Sequence, residues 1–221
     1  MVLKLYGTPY AFGATAVVAM VLLEKHIPFE FVLVDLKTGA HKTREFRERH
    51  PFGNVPCIED DGFIVYESRA IARYLADKYA DQDHGPRLIP VPTKVQERAV
   101  FEQGASVENV NFFPSVLKVI QEKFEKPLHG ETTDEVALAG YIAELSKVLS
   151  VYDDILSKQR FMGGDEFSLV DIFHVGTGPG LALGGIDVMI STGPNVARWW
   201  NDVISRPSWV KLQAEGIKSS V

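Results

Sequence analysis

The sequence predicts a chain in two parts, an α/β first domain of element order βαβαββα and an all-helical second domain. Three observations carry that reading. Strand-like segments occur only before residue 67. Residues 81–92 hold Gly85 and three prolines and show no periodicity, which marks a boundary. Beyond them, apolar residues recur at three- and four-residue spacing. The expected division is residues 1–82, a linker over 83–92, and residues 93–221.

Each element follows from its local pattern. Residues 2–6 alternate apolar and polar side chains and stop at Gly7-Thr8-Pro9, so a short strand meets a turn. Residues 14–25 are apolar on nearly every face, which predicts a helix packed between other elements, stopped by His26-Ile27-Pro28. Residues 29–34 are aromatic and β-branched and predict a second, buried strand parallel to the first, completing a right-handed βαβ unit. A polar loop over 37–42 and a charged helix over 43–49 end at Pro51-Phe52-Gly53. Two strands, 56–59 and 63–66, flank Asp61-Gly62, a strong hairpin signal. A helix over 69–79 carries Ile71, Tyr74 and Leu75 on one face.

In the second domain, residues 93–126 and 134–157 read as long helices, the latter striped by Leu138, Ile142, Leu145, Leu149 and Tyr152. Ser168-Leu169-Val170-Asp171 has the form of a capping box, flanked by Phe167 and Ile172 as a hydrophobic staple, and should open a buried helix. Residues 195–204 and 208–215 supply the last two helices.

Composition narrows the functional classes. With 46% apolar and 24% charged residues in 221, the chain can bury one or two cores. Residues 11–23 carry no charge but number about a dozen, short of the roughly 20 that span a bilayer. No membrane helix is expected, and the opening residues lack the pattern of a signal peptide. The lone Cys57 cannot form an internal disulfide, so a cytoplasmic protein is expected. A net charge of −6 argues against a nucleic-acid partner.

Six pieces in order resemble the glutathione transferase family, and within it the phi class of plants and fungi. They are Lys4-Leu5-Tyr6-Gly7, Gly39-Ala40-His41-Lys42, the run from Pro51 to Pro56, the run from Glu67 to Ile71, the Ser168–Asp171 box, and Ser205-Arg206-Pro207-Ser208-Trp209. The resemblance implies a thioredoxin-like first domain, glutathione as cosubstrate with no metal, hydrophobic small molecules as partners, and a homodimer. The dimer also follows from the helices after Ser68 and Thr93, which would otherwise expose apolar side chains.

The residues fit a tripeptide site. If Val55–Pro56 is cis, as the resemblance implies, the N–H and C=O of Val55 face outward and can pair with the cysteinyl portion of glutathione like a strand; the plain alternative for Pro56 is strand initiation. Glu67 and Ser68 stand where a strand meets a helix N-terminus, which attracts the γ-glutamyl carboxylate, and capping is a compatible second role. The resemblance sets His41 and Lys42 against the glycyl carboxylate, with Asn54 adding a contact; the alternative is a solvated basic loop. Phe112, Phe113 and Val116, with Phe12, are the expected apolar acceptor pocket, against the alternative of core packing.

One departure stands out. The phi class places a serine at the start of the first helix, where its hydroxyl favours the glutathione thiolate. Counting forward from Tyr6-Gly7 puts Ala11 there, and counting back from Glu24-Lys25 puts Phe12 there. The paired arginines that usually follow are replaced by Ala16 and Val17. A hydrogen bond to a charged acceptor contributes roughly 1.5–3 kcal/mol, which is missing without that serine; the backbone N–H groups of residues 11–13 remain, and the hydroxyls of Tyr10, Thr8 and Thr15 are the candidate substitutes. Thr15 and Tyr6 read as structural, and Cys57, one residue into a strand, as core rather than nucleophile. Conjugation of glutathione to hydrophobic electrophiles is the first functional reading. A ligandin-like carrier of hydrophobic molecules with little turnover and a glutathione-dependent peroxidase are the alternatives.

Overall fold

The computed structural model describes residues 2–80 and 82–221. Met1 and Asp81, the first residues of the expected first domain and of the boundary stretch, lie outside the described residues. The chain forms two compact units, Met1–Ile89 with Arg206–Val221, and Pro90–Ser205.

The first unit holds a four-stranded sheet of order β2-β1-β3-β4. Its strands are β1 (Leu3–Gly7), β2 (Phe29–Leu33), β3 (Cys57–Asp60) and β4 (Phe63–Tyr66). β2 runs parallel to β1, and β3 and β4 add antiparallel. The Asp61-Gly62 turn has both residues at positive φ, +51° and +84°, the conformation that matches the twist of a two-residue hairpin. Helix α1 (Gly13–Glu24) is buried on nearly all faces, as its continuous apolar run requires, with α3 (Ser68–Lys78) beside it. The short α2 (Arg44–Arg49) is capped by Thr43, whose hydroxyl accepts from the Phe46 N–H at 3.2 Å.

Two expectations change. β2 is an edge strand with Leu33 well exposed, not a buried one, because among the described residues no strand pairs with its outer side. The outer edge is met instead by the C-terminal tail: Ser220 Oγ accepts from the Phe29 N–H at 2.9 Å and Ser219 Oγ from the Phe31 N–H at 2.9 Å. Hydroxyls thus satisfy donors that would otherwise invite another strand.

The C-terminal sixteen residues, expected in the helical domain, therefore belong to the first unit. The cause is a partly buried ion pair. Glu24, at the end of α1, accepts from Arg206 Nε at 2.8 Å and Nη2 at 2.6 Å, and from the Ser208 hydroxyl. These residues begin α12 (Pro207–Glu215), which packs on α1.

The second unit is helical throughout. Its first long helix is interrupted twice: α4 (Val95–Val107), a π turn at Glu108–Phe112, α5 (Phe113–Ile120), a second π turn at Gln121–Glu125, then α6 (Lys126–Leu128). Each π turn ends two residues before a proline, Pro114 or Pro127. Proline has no N–H for the preceding turn and its ring crowds the carbonyl four residues back, and the wider turn relieves both. Helix α7 (Glu135–Leu156) supplies the spine, burying Leu138, Leu145, Leu149 and Tyr152. The capping box is present on the short, fully buried α8 (Leu169–Phe173). Two helices not anticipated, α9 (Gly178–Leu183) and α10 (Val188–Ser191), precede α11 (Pro194–Ile204). Among the described residues no helix is long and apolar enough to cross a membrane.

Candidate active site

Strand register brings the predicted site residues of the first unit to one end of its sheet. Gly7, the last residue of β1, pairs with Leu33 of β2; Tyr6 pairs with Cys57, the first residue of β3, which faces Tyr66 at the end of β4. The segments 8–12, 34–43, 55–56 and 67–68 therefore all leave the sheet at that end, where open α/β sheets place ligands.

The Val55–Pro56 peptide is cis. Among the described residues the N–H and C=O of Val55 make no hydrogen bond. The preceding turn is held tightly. Gly53 lies at φ +58°, and a Cβ there would stand 2.5 Å from the His41 carbonyl oxygen, so only glycine permits this approach. Lys42 Nζ donates to the carbonyl oxygens of Gly53 at 2.7 Å and Phe52 at 3.2 Å and to Asn54 Oδ1 at 3.4 Å. All three ammonium protons are directed at the turn, so Lys42 shapes the 52–54 segment. Beside it, His41 Nδ1 is buried with no partner among the described residues. Burial, reinforced by Lys42 and Arg47, holds the His41 ring below its ordinary pKa, leaving a neutral imidazole.

Glu67 precedes α3 at φ +69° and ψ 112° and makes no side-chain cap. A non-glycine residue there carries on the order of 1–3 kcal/mol of backbone strain. The first-turn N–H groups of α3 have no intrahelical acceptor, with Ser68 buried as the first helical residue. His50 lies against the Tyr66 ring at 4.8 Å. Burial lowers the His50 pKa more than the nearby Glu67 carboxylate raises it.

The start of α1 is also open. Phe12 is its N-cap residue and offers no side-chain hydrogen bond. Among the described residues the backbone N–H groups of Tyr10, Ala11, Phe12 and Gly13 have no acceptor. Tyr10 and Phe12 stack at 5.3 Å and are 51% and 45% exposed. Thr15 is buried, its hydroxyl accepting from the Thr8 N–H at 3.3 Å. Tyr6 donates to Glu59 at 3.0 Å, and burial followed by that bond raises its pKa. Cys57 is fully buried and desolvation pushes its thiol up to about 11, the opposite of nucleophile activation.

The expected acceptor residues of the second unit do not all present a surface. Phe112 and Val116 are fully enclosed. The Phe112 ring packs against His174 at 4.7 Å and Tyr152 at 5.9 Å, so packing within that unit claims both residues. Phe113 is half-buried. Sequence reasoning did not anticipate the left-handed backbone of Glu67, the inward turn of Lys42, or contacts from residues 213 and 217 described below. Only Gly53, within Pro51-Phe52-Gly53, signalled a close approach. Among the described residues no group of three His, Cys, Asp or Glu side chains is placed to hold a metal ion.

Comparison with known proteins agrees with this geometry. Residues 1–77 match the family Glutathione S-transferase, N-terminal domain, and residues 118–207 match Glutathione S-transferase, C-terminal domain. The chain is 41% identical over 216 residues to glutathione S-transferase hmp2 of Hypomyces subiculosus, covering 97% of this chain and 99% of that one. Glutathione transferase F7 of Populus trichocarpa superposes with a TM-score of 0.88 at 33% identity, covering 97% and 99% of the two chains. A glutathione S-transferase-I structure bound with lactoylglutathione superposes at 0.87 with 30% identity, again covering 97% and 99%. Matched over both halves and along almost its whole length, the chain belongs to the glutathione S-transferase family, in its phi class.

Proposed function

We propose that the first unit binds glutathione across the open end of its sheet and activates its thiol for attack on hydrophobic electrophiles. The observation that carries this reading is the convergence of unsatisfied groups there: Val55's free backbone pair, the unpartnered His41 Nδ1, the open start of α3 and the unbonded amides of residues 10–13. Val55 pairs with the cysteinyl backbone as an added strand. Ser68 and the α3 N-terminus receive the γ-glutamyl carboxylate while Glu67 accepts from its ammonium group. His41 Nδ1–H and Asn54 meet the glycyl carboxylate, with Lys42 fixing the turn that carries Asn54.

The thiol releases its proton to solvent, and the amides of residues 11–13 and the dipole of α1 stabilise the thiolate left behind. The thiolate sulfur then forms a bond to the electrophilic carbon, and the leaving group departs with its electron pair. Tyr10 and Phe12 offer an apolar surface beside the reacting sulfur. Conjugation is the reading that the transferase relatives support over a carrier or a peroxidase.

A homodimer is also proposed, with a revised basis. The apolar stripe of α3 is consumed inside the first unit, so its dimer face is instead Phe52, 68% exposed, with Phe63, Ile64 and Tyr66 of β4. A cytoplasmic address accords with the single buried, unpaired Cys57. Calorimetry with glutathione, beside turnover assays with a chromogenic electrophile and an organic hydroperoxide, tests the reading. Absence of glutathione binding overturns it, and binding without conjugation moves it to a carrier.

A further inference from the structure

The segment bearing the unbonded amides is held from behind by the end of the chain. Ile217 N–H donates to the Pro9 carbonyl at 2.9 Å, and Gln213 Nε2 donates to the Ala11 carbonyl at 3.1 Å. Between these two donors, Gly216 turns at φ +68°, where a Cβ would come within 3.1 Å of the same Pro9 oxygen. The tail beyond is pinned to β2 by Ser219 and Ser220, and Ile217 is buried. No other hydrogen bond fixes the carbonyls of residues 9 and 11 among the described residues.

The two carbonyls are not arbitrary ones. A peptide unit is planar, and in the trans form its C=O and N–H point in opposite directions. The Pro9 carbonyl shares its peptide plane with the Tyr10 N–H, and the Ala11 carbonyl shares its plane with the Phe12 N–H. A donor seated on each carbonyl therefore sets the direction of the amide on the other side, away from the C-terminal segment. It also polarises that amide, since hydrogen bonds in a chain strengthen one another by about 10–30%.

We infer that Gln213 and Ile217 are positioning residues for thiolate binding: Gln213 orients and polarises the Phe12 amide, one of the three proposed to receive the glutathione sulfur, and Ile217 fixes the Tyr10 peptide that leads into them. The inference rests on the glutathione reading for its sulfur half, while the clamp on the amides is a property of the free protein. In a chain without the phi-class serine, donors of this kind must be preorganised to be effective. The C-terminal segment supplies that order from outside the loop.

Two arms test it. In the ligand-free protein, Gln213→Ala should lower the backbone NMR order parameters of Tyr10 and Phe12 and shift their amide resonances. Ser219→Ala, which loosens the same tail without touching the loop, should leave both amides unchanged. In the glutathione complex, Gln213→Ala should raise the thiol pKa, read from thiolate ultraviolet absorbance against pH, by about half a unit. Turnover near neutral pH should fall about 3- to 10-fold with KM for glutathione unchanged, and Gln213→Arg, which keeps a donor, should recover most of it. Deleting residues 217–221 should move the thiol pKa in the same direction. Unaltered amides in the free Gln213→Ala variant overturn the clamp. Altered amides with an unmoved thiol pKa overturn its role in sulfur binding. If the parent protein fails to bind glutathione, the functional reading falls and takes the sulfur half with it, and the free-protein arm still decides the clamp.

Discussion

Two helix starts in this molecule are built in opposite ways. At α8 side chains close the start. Ser168 Oγ accepts from the Val170 N–H at 3.3 Å, and the Asp171 carboxylate accepts from the Ser168 N–H at 2.9 Å, the Met162 N–H at 3.0 Å and Trp199 Nε1 at 2.8 Å. Asp153 does the same from a distance for α11, accepting from the Asn195 and Val196 N–H groups at 2.8 and 3.0 Å. At α1 no side chain caps the helix, although a cap contributes about 1 kcal/mol. The closed starts are buried or partly buried within the helical unit, and the open one lies at the end of the sheet where glutathione binding is proposed. Helices α3, α4, α9, α10 and α12 also lack a cap from their N-cap side chain, so it is the run of unbonded amides at residues 10–13, not the missing cap alone, that supports the proposed thiolate site.

The contrast is broken most directly at its closed end. Asp171→Ala would leave the Met162 and Ser168 amides and the Trp199 indole without their acceptor in the core. A loss of about 3–5 kcal/mol is expected in denaturant unfolding; a loss under about 1 kcal/mol would mean the box is ornamental. Its titration gives the next largest effect. Burial pushes the Asp171 carboxyl up to about 6 against the pull of its donors. Between about pH 4 and 6 the native chain then holds a proton that the unfolded chain has lost. This group's contribution is therefore most favourable at the acid side and declines as pH rises through 6, by at most about 3 kcal/mol. Asp171→Asn should flatten that part of the stability profile, and an unchanged slope would assign the titration elsewhere.

At the open end, Phe12→Ser puts a capping hydroxyl where none stands. Unfolding should show a gain of about 1 kcal/mol, and conjugation a rise of about 10-fold, as expected when a charged sulfur gains a hydroxyl donor. A slower enzyme would show that the amides need no help. Ala11→Ser is the neighbouring test, since the chain count leaves either position in register with the missing serine. Tyr10→Phe should change turnover by less than about 3-fold, because its ring is stacked outward on Phe12; a fall of about 10²–10³-fold would make Tyr10 the donor after all. The smallest effect is expected at Cys57, whose buried thiol should resist alkylation in the folded protein at neutral pH. Rapid labelling there would contradict its burial.

Most of the fold was legible because its signals are local. Asp61-Gly62 specified its hairpin through the φ values those residues tolerate, and Ser168 with Asp171 specified a helix start at a spacing of three. The proposed site was readable as short motifs, such as Val55-Pro56 and Glu67-Ser68, each of which the structure places at a strand end. What escaped was long-range. Nothing near Gln213 reveals that it meets Ala11, and nothing near Glu24 reveals Arg206 as its partner. The burial of Phe112 depended on Tyr152 and His174 arriving from other helices. The second strand looked central because its residues are apolar, while its place at the edge is set by pairing order, which its own residues do not encode.

The ion pair between Glu24 and Arg206 also has a consequence for how the protein is made. A ribosome delivers the helical unit as one uninterrupted stretch, 90–205, before it delivers the last pieces of the unit that began synthesis first. The sheet emerges early, yet its edge at β2, its α1 carboxylate and the carbonyls of Pro9 and Ala11 wait for residues 206–220 to leave the tunnel. Nascent chains stalled with residue 205 just emerged should yield a protease-resistant fragment from the second unit while the first remains susceptible. Resistance of the first unit at that stage would show that it closes without its tail. The order of assembly is then the reverse of the order of translation, and the first unit is completed only after residues 206–221 have been made.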